Sequence, residues 1–597
     1  MTLDRRSFHR FLAASAGLAA VPAVLAKPRP SAATELATLA DRYDAARWAL
    51  FPMDATENTG DPAYEGKFEI EIAPEHRKRQ ERLYRTTLAQ LKRIDPASLS
   101  ASDRITWDLL HHEATDKLAL LAYPWWLMPV GIADSVPVRL AQWASGNASQ
   151  PLKTAANYRH FLKRLQALPA WIAQAMRNMD EGIARGIVLP RALVERVLPQ
   201  LEMLDKADPL ASPYLEGLKK FPDGVPQADR AGIEAAYRDT VKTAIAPAVH
   251  RLRVYMTERY LPAARSTAGI GAFDGGRDWY RLQVRSFTTT SMDPVQIHEL
   301  GLKEVARIRG EMLAVRDKLG FQGSLEQFLL HVREDPALKP FRTEDQVLQA
   351  YAAINEKVKA KLPGLFERAP KAALAIKAIE PIRRETASDQ YSPPAADGSR
   401  PGIFYTVITN PAESSTPSMT ALFLHEGQPG HHYQMALQQE LTSLPRLRRN
   451  AWYDAFGEGW ALYAEGLGRD MGLYEDPITW LGRLSMELHR AVRLVVDTGL
   501  HDKGWSREQT MKYMQDVEGR TEDSARRATE RYMAWPGQAL AYKIGELKLL
   551  ELRERARQAL GAKFDIRKFH TQVLSEGAMP LSLLQARIER WIETQRG

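Results

Sequence analysis

Leu424-His425-Glu426-Gly427-Gln428-Pro429-Gly430-His431-His432 is the stretch on which the reading of this chain turns. In the H-E-x-x-H motif of zinc hydrolases, two His one helical turn apart face one ion and the Glu between them works on its water. Here the fourth position after His425 is Pro429, which offers no ligand atom, and the next imidazoles follow at the sixth and seventh. Pro429 also lacks the N–H that would bond to the carbonyl of His425, so a helix through this stretch must bulge or break. In an unbroken helix His431 lies about 240° round from His425, while His432 lies within about 20° of the same face but on the order of 10 Å along the axis. Extruding Pro429-Gly430 drops His431 into the place of the usual second ligand and leaves His432 beside it, touching substrate or another ligand. His432 as the ligand is the alternative. Two neighbouring His on a surface helix is the plainer reading.

Working outward, Thr416-Pro417 supplies a helix start, with Thr as N-cap and Pro at the first helical position, and Met419, Leu422 and Phe423 give it an apolar stripe. A hydrolytic zinc needs three protein ligands and one open position. The chain contains no cysteine, so the set must come from His and carboxylates. Glu458 stands alone in the apolar run from Ala455 to Ala464, where a charge needs a cation or a metal. A structural salt bridge would also explain it. Gly457 and Gly459 beside it allow a close backbone approach. Glu465, seven residues on, falls on the same stripe as a fallback ligand or as an acceptor behind one.

Apolar residues at 3-4 spacing predict helices over Ala33–Leu50, Pro74–Arg93, Ser102–Leu121, Asn157–Gly182, Leu193–Lys206, Gln227–Tyr260, Pro294–Leu319 and Thr343–Leu362, and over most of 416–597. Phe68–Ala73, Ile376–Ile382 and Ile403–Thr409 read as strands. The last two flank the Ser/Pro/Asp/Gly-rich loop Thr386–Gly402, so a hairpin or edge pair beside the motif is expected. Gly269–Gly276 lacks the setting of a phosphate-binding loop and reads as a flexible linker. The expected fold is mainly α: one large helical body whose two lobes enclose a deep cleft.

The remaining composition narrows the function. The 597 residues are 45% apolar and include 13 Trp, enough for a substantial core. The charge of +8 is dispersed. Its densest runs, Arg446–Arg449 and Arg526-Arg527, read as solvated helix faces, with no nucleic-acid motif beside them. Arg5-Arg6 precedes a mild Ala/Leu/Val stretch ending in Val24-Leu25-Ala26. That pattern reads as a twin-arginine signal over residues 1–26, recognised by the export machinery, leaving 27–597 periplasmic or secreted. Its apolar stretch is too short for a comfortable membrane span, and no other segment reads as one.

Four motifs between 403 and 545 carry a resemblance: H-E-x-x-P-G-H-H from His425; E-G-W-A-x-Y-x-E from Glu458; R-A-x-R-L-x-x-D-x-G-L-H from Arg490; and P-G-Q-A-L-x-Y-K-I-G from Pro536. Together they resemble the bacterial domain-of-unknown-function 885 (DUF885) family, grouped with the Glu-ligated zinc peptidases that include helical oligopeptidases and carboxypeptidases. The resemblance implies one Zn²⁺ on His425, His431 (or His432) and Glu458, with Glu426 as general base. For the oxyanion it points to Tyr542 first, then Tyr532 and His501. Asp497 would orient a ligand His, or pair with Arg493 one turn away.

The implied substrate is a short peptide or small amide. Arg531 or Lys543 could bind its C-terminal carboxylate, and Tyr123–Pro129 could line an apolar subsite. A zinc hydrolase of an ester or non-peptide amide and a metal-free periplasmic binding protein are the competing functions.

Overall fold

The computed structural model describes residues 31–596 apart from 133–134, 147, 381–383, 385–387, 396–397 and 399. The proposed signal lies outside them. The fold is mainly α. Its helices start where local chemistry allows: Thr154 and Asn157 form a capping box before Ala155–Arg185, as do Asp293 and Gln296 before Pro294–Lys318, and Thr343 and Gln346 before Glu344–Lys361. Gln227–Tyr260 runs through two π turns, Val241–Ile245 and Met256–Tyr260, as far as Leu261–Ala263. Among the described residues no helix is long and apolar enough to cross a membrane.

Two large hydrophobic cores correspond to the two expected lobes. The first gathers Phe161, Leu165, Trp171, Val194, Leu252 and Met312. The second gathers Tyr280, Phe404, Phe423, Trp460, Ile544 and Leu584. The buried helix Pro477–His501 feeds both, with Leu484 and Val495 in the first and Leu494 in the second. A small third core joins Ala32–Leu50, Pro74–Leu91 and Ala101–Leu120, and it includes Leu447.

The sheet is small: the two runs expected as a hairpin or edge pair do pair, but in parallel and so not as a hairpin. β1 (Leu374–Ala378) and β3 (Gly402–Thr406) run parallel, while β2 (Gln390–Ser392), inside the stretch read as loop, pairs antiparallel to β3. The buried Phe404 of β3 packs edge-on against Phe423, which sets the sheet beside the motif helix as expected. Phe68–Ala73 is not a strand: its residues form turns and irregular backbone leading into Pro74. Short apolar runs do not distinguish a strand from a packed connection.

Two other expectations are corrected. Gly269–Gly276 is no linker. A Cβ at Gly269 would sit 1.9 Å from the Leu500 carbonyl and one at Gly271 2.1 Å from that of His501, so the glycines let this loop lie against the end of Pro477–His501. The run Arg446–Arg449 is not all solvated, because Arg448 is buried and its guanidinium binds Glu576 at 2.5 Å and the Ser102 carbonyl at 2.9 Å.

Candidate metal centre

The motif does break at the proline. One helix, Met419–Glu426, ends at Gly427 and a second, His431–Gln439, begins after Gly430. The first starts two residues later than Thr416-Pro417 suggested, with Ser418 as its N-cap. Between the helices the chain folds back on itself: a Cβ at Gly430 would lie 2.0 Å from the His425 carbonyl. The Trp460 indole N–H donates to the Pro429 carbonyl at 2.8 Å and pins the break.

This fold-back brings the two rings together, nearly perpendicular, with centroids 4.9 Å apart. Glu458, on the helix Asp454–Asp470, completes the group. Its Oε2 lies 3.5 Å from Nε2 of His425 and 3.5 Å from Nε2 of His431. One ligand atom from each residue falls within 4.8 Å of the others, the one such grouping among the described residues. An ion bound tetrahedrally at about 2.1 Å sets its donors about 3.4 Å apart, so the residues fit zinc in identity and in spacing.

The crossing of two helices holds Glu458 in place. Gly459 meets Gly545 of Ala541–Leu560, where a Cβ on Gly545 would lie 1.9 Å from the Ala455 carbonyl and 2.7 Å from the Gly459 Cα. The expected close approach is therefore at Gly459. Gly457 instead faces the indole of Trp452. That side chain, 41% exposed, leans over His431 with centroids 5.9 Å apart and forms an apolar lip that sequence reasoning missed. The bare Gly457 was its one signal.

Electrostatics favour a cation here. Burial would push His425 down, but hydrogen bonds that its ring donates to Glu458 and Glu465 and the charge of Glu426 overcome this and raise it to about 9. Burial pushes Glu458 up, yet the two His rings bring it well below the carboxylate range. Glu426 is raised, first by burial and then by Glu458 and Asp389, against the pull of His425 and His431. A buried carboxylate with raised affinity for a proton, within the fields of His425, His431 and Glu458, has the acid-base character of a general base.

The other expected residues separate cleanly. His432 turns away to the sheet, its Nδ1 2.9 Å from the Tyr391 hydroxyl, and burial lowers it to about 4. Glu465 sits behind His425, accepting from Nδ1 at 2.8 Å. Nδ1 of His431, by contrast, is buried with no hydrogen-bond partner among the described residues. Tyr542 is at the site: burial and the charge of Glu458 raise its hydroxyl, opposed by Arg493 and Arg531. Arg493 lies 4.5 Å from the Tyr542 ring centroid and donates to the Tyr532 hydroxyl at 3.2 Å, so Tyr532 is a support for Arg493.

His501 is structural. Its Nδ1 accepts from the Ile270 N–H and its Nε2 donates to the Tyr532 carbonyl. Asp497 orients no ligand. It takes the Tyr280 hydroxyl at 2.6 Å and the Gly537 N–H at 3.0 Å. Lys543 cannot meet a substrate carboxylate, because it is fully buried among Glu487, Glu546 and Glu304 at 2.5, 2.7 and 3.0 Å. Arg531 is half-buried and donates to Gln538 at 3.3 Å. Of Tyr123–Pro129, Trp125, Met128 and Pro129 line a cavity between the two cores, while Leu127 is core.

Residues 52–588 match the family described as bacterial protein of unknown function (DUF885). The chain belongs to that family. No curated protein matches it. Among solved structures, a candidate lipoprotein from Colwellia psychrerythraea is similar at a TM-score of 0.85 and 28% identity, over 94% of this chain and 100% of that one. A candidate lipoprotein of unknown function from Shewanella oneidensis, 20% identical, shares the fold at a TM-score of 0.73, over 92% and 99%.

Proposed function

We propose that this DUF885 chain is a zinc-dependent hydrolase of the Glu-zincin type, a metallopeptidase acting on short peptides. The observation that carries the reading is the convergence of His425 Nε2, His431 Nε2 and Glu458 Oε2 within 4.8 Å, with Glu426 next in sequence to the first of them. Zinc, when bound there, would lower the pKa of a coordinated water to about 7 and polarise an acyl carbonyl.

The chain's own residues do the rest. Glu426 takes a proton from the attacking water and returns it to the leaving amine. The Tyr542 hydroxyl, held neutral by burial and by Glu458, donates to the oxyanion that forms on the carbonyl. Glu465 fixes the His425 tautomer so that Nε2 presents its lone pair. The Trp452 lip offers an apolar surface to the side chain beside the cleaved bond.

The twin-arginine reading of residues 1–26 and the candidate lipoproteins of the same fold support work outside the cytoplasm, on exported or imported peptides. The test is direct. Purified protein is expected to hold one zinc and to cut members of a short-peptide library, and Glu426→Gln to keep the zinc while losing about 10²- to 10⁴-fold in kcat. Turnover of esters but no peptide would move the reading to another acyl bond. Absence of zinc in protein that binds peptides intact would make it a binding protein.

A further inference from the structure

The two cores enclose a cavity of about 710 Å³, and neither the three ligands nor Glu426 lines it. Its walls carry four indoles, Trp125, Trp171, Trp279 and Trp535, contributed by both halves of the molecule. The charged groups along it are nearly all accounted for. Asp54 and Glu57 close on Arg139 at 2.8 and 2.7 Å, and Glu69 on Arg79. Arg265 spends its guanidinium on backbone carbonyls, among them Val188 at 3.0 Å and Gly269 at 2.8 Å.

Glu71 is the exception. Among the described residues no Lys, Arg or His forms an ion pair with it. Its side-chain donor is the Trp171 indole N–H at 3.2 Å, and burial pushes the carboxyl up to about 7. A carboxylate in no ion pair, with Arg139 acting on it only from beyond contact, on the wall of a cavity that four indoles also line, complements a protonated amine attached to an apolar group, through charge and cation–π attraction together. The wall reaches the metal centre as well. Met533–Pro536 lines the cavity, and the same strand of chain continues to Gln538, which donates to Asp454, and to Tyr542 beside Glu458.

We propose that this cavity binds the amino end of the substrate, with the free α-ammonium on Glu71 and the first apolar side chain against the indoles. The preference would then be for peptides with an unblocked N-terminus, in place of the carboxylate capture that Arg531 and Lys543 suggested. Only the identification of the ligand as a peptide rests on the peptidase reading; the cavity's demand for an amine does not.

The experiment is calorimetric titration of the full chain in excess chelator with phenylalanine amide and with N-acetylphenylalanine amide. Metal removal separates it from hydrolysis, so a failed peptidase assay leaves it intact. Binding of the free amine, at least tenfold weaker for the acetylated form and weakened tenfold or more in Glu71→Gln, is the expected result. Equal binding of the two ligands, no binding of the free amine at millimolar concentration, or unchanged binding in a folded Glu71→Gln overturns the proposal. The two-ligand comparison on wild type stands alone should that variant fail to fold.

Discussion

Glu465 accepts the Nδ1 proton of His425 at 2.8 Å, on the far side of the ring from the nitrogen that meets Glu458. The two ring nitrogens point apart, so a carboxylate on one side orients the ring and the other side faces the position proposed for the ion. Glu465 is fully buried, and behind it Arg483 spans to Glu546 at 2.8 Å and Glu487 at 3.1 Å. Replacing Glu465 with Gln should keep zinc stoichiometry at saturating metal but weaken affinity about 10- to 100-fold. Titration against a competing chelator measures this, and an affinity within twofold of wild type would show that Glu465 does not hold the ligand.

The break at Pro429 gives two adjacent imidazoles different surroundings. His431 turns to Glu458, while His432 binds Tyr391 on β2. His431→Ala should lose bound zinc, and His432→Ala should retain one ion per chain. Metal analysis of both variants decides it. Zinc lost equally from the two would mean that the break positions them as a unit.

The crossing of Asp454–Asp470 over Ala541–Leu560 brings the Glu458 charge to bear on Tyr542, and it depends on bare backbone at Gly459 and Gly545. A methyl group at Gly545 overlaps the Ala455 carbonyl, so Gly545→Ala must spread the helices, at a cost of about 1–3 kcal/mol or more. A fall in the denaturation midpoint together with weaker zinc binding is expected. Weaker zinc binding at unchanged stability would place the strain in the site alone.

Most helices could be read from 3-4 spacing and caps, and the candidate His-His-Glu group from the conflict between Pro429 and the His-Glu pair together with the lone Glu458 in its apolar run. What escaped was information carried by distant segments. Lys543 looks like any free cation until Glu304, Glu487 and Glu546 are folded around it. Asp497, one turn from Arg493, is claimed instead by Tyr280 and Gly537. Strand β2 lay hidden in a Pro- and Ser-rich run because only its pairing with β3 makes it a strand. Glu71 gave no local pattern at all, and Trp452 only the bare Gly457 against which its indole lies.

Asp497 also makes stability depend on pH. Burial raises its carboxyl to about 7, against the lowering pull of Tyr280, Gly537 and Arg493. Its folded pKa therefore exceeds the unfolded one, about 3.9, so the folded state holds the extra proton between those values. The stabilisation from that proton is complete below pH 4 and is lost as pH rises through 7, a change of up to about 4 kcal/mol. Asn at this position keeps the Oδ1 that receives both the Tyr280 hydroxyl and the Gly537 N–H, and it cannot ionise. Asp497→Asn should therefore gain thermal midpoint relative to wild type steadily between pH 4 and 8. Melting curves that stay parallel over that interval would show that the buried carboxyl is already ionised at the acid end.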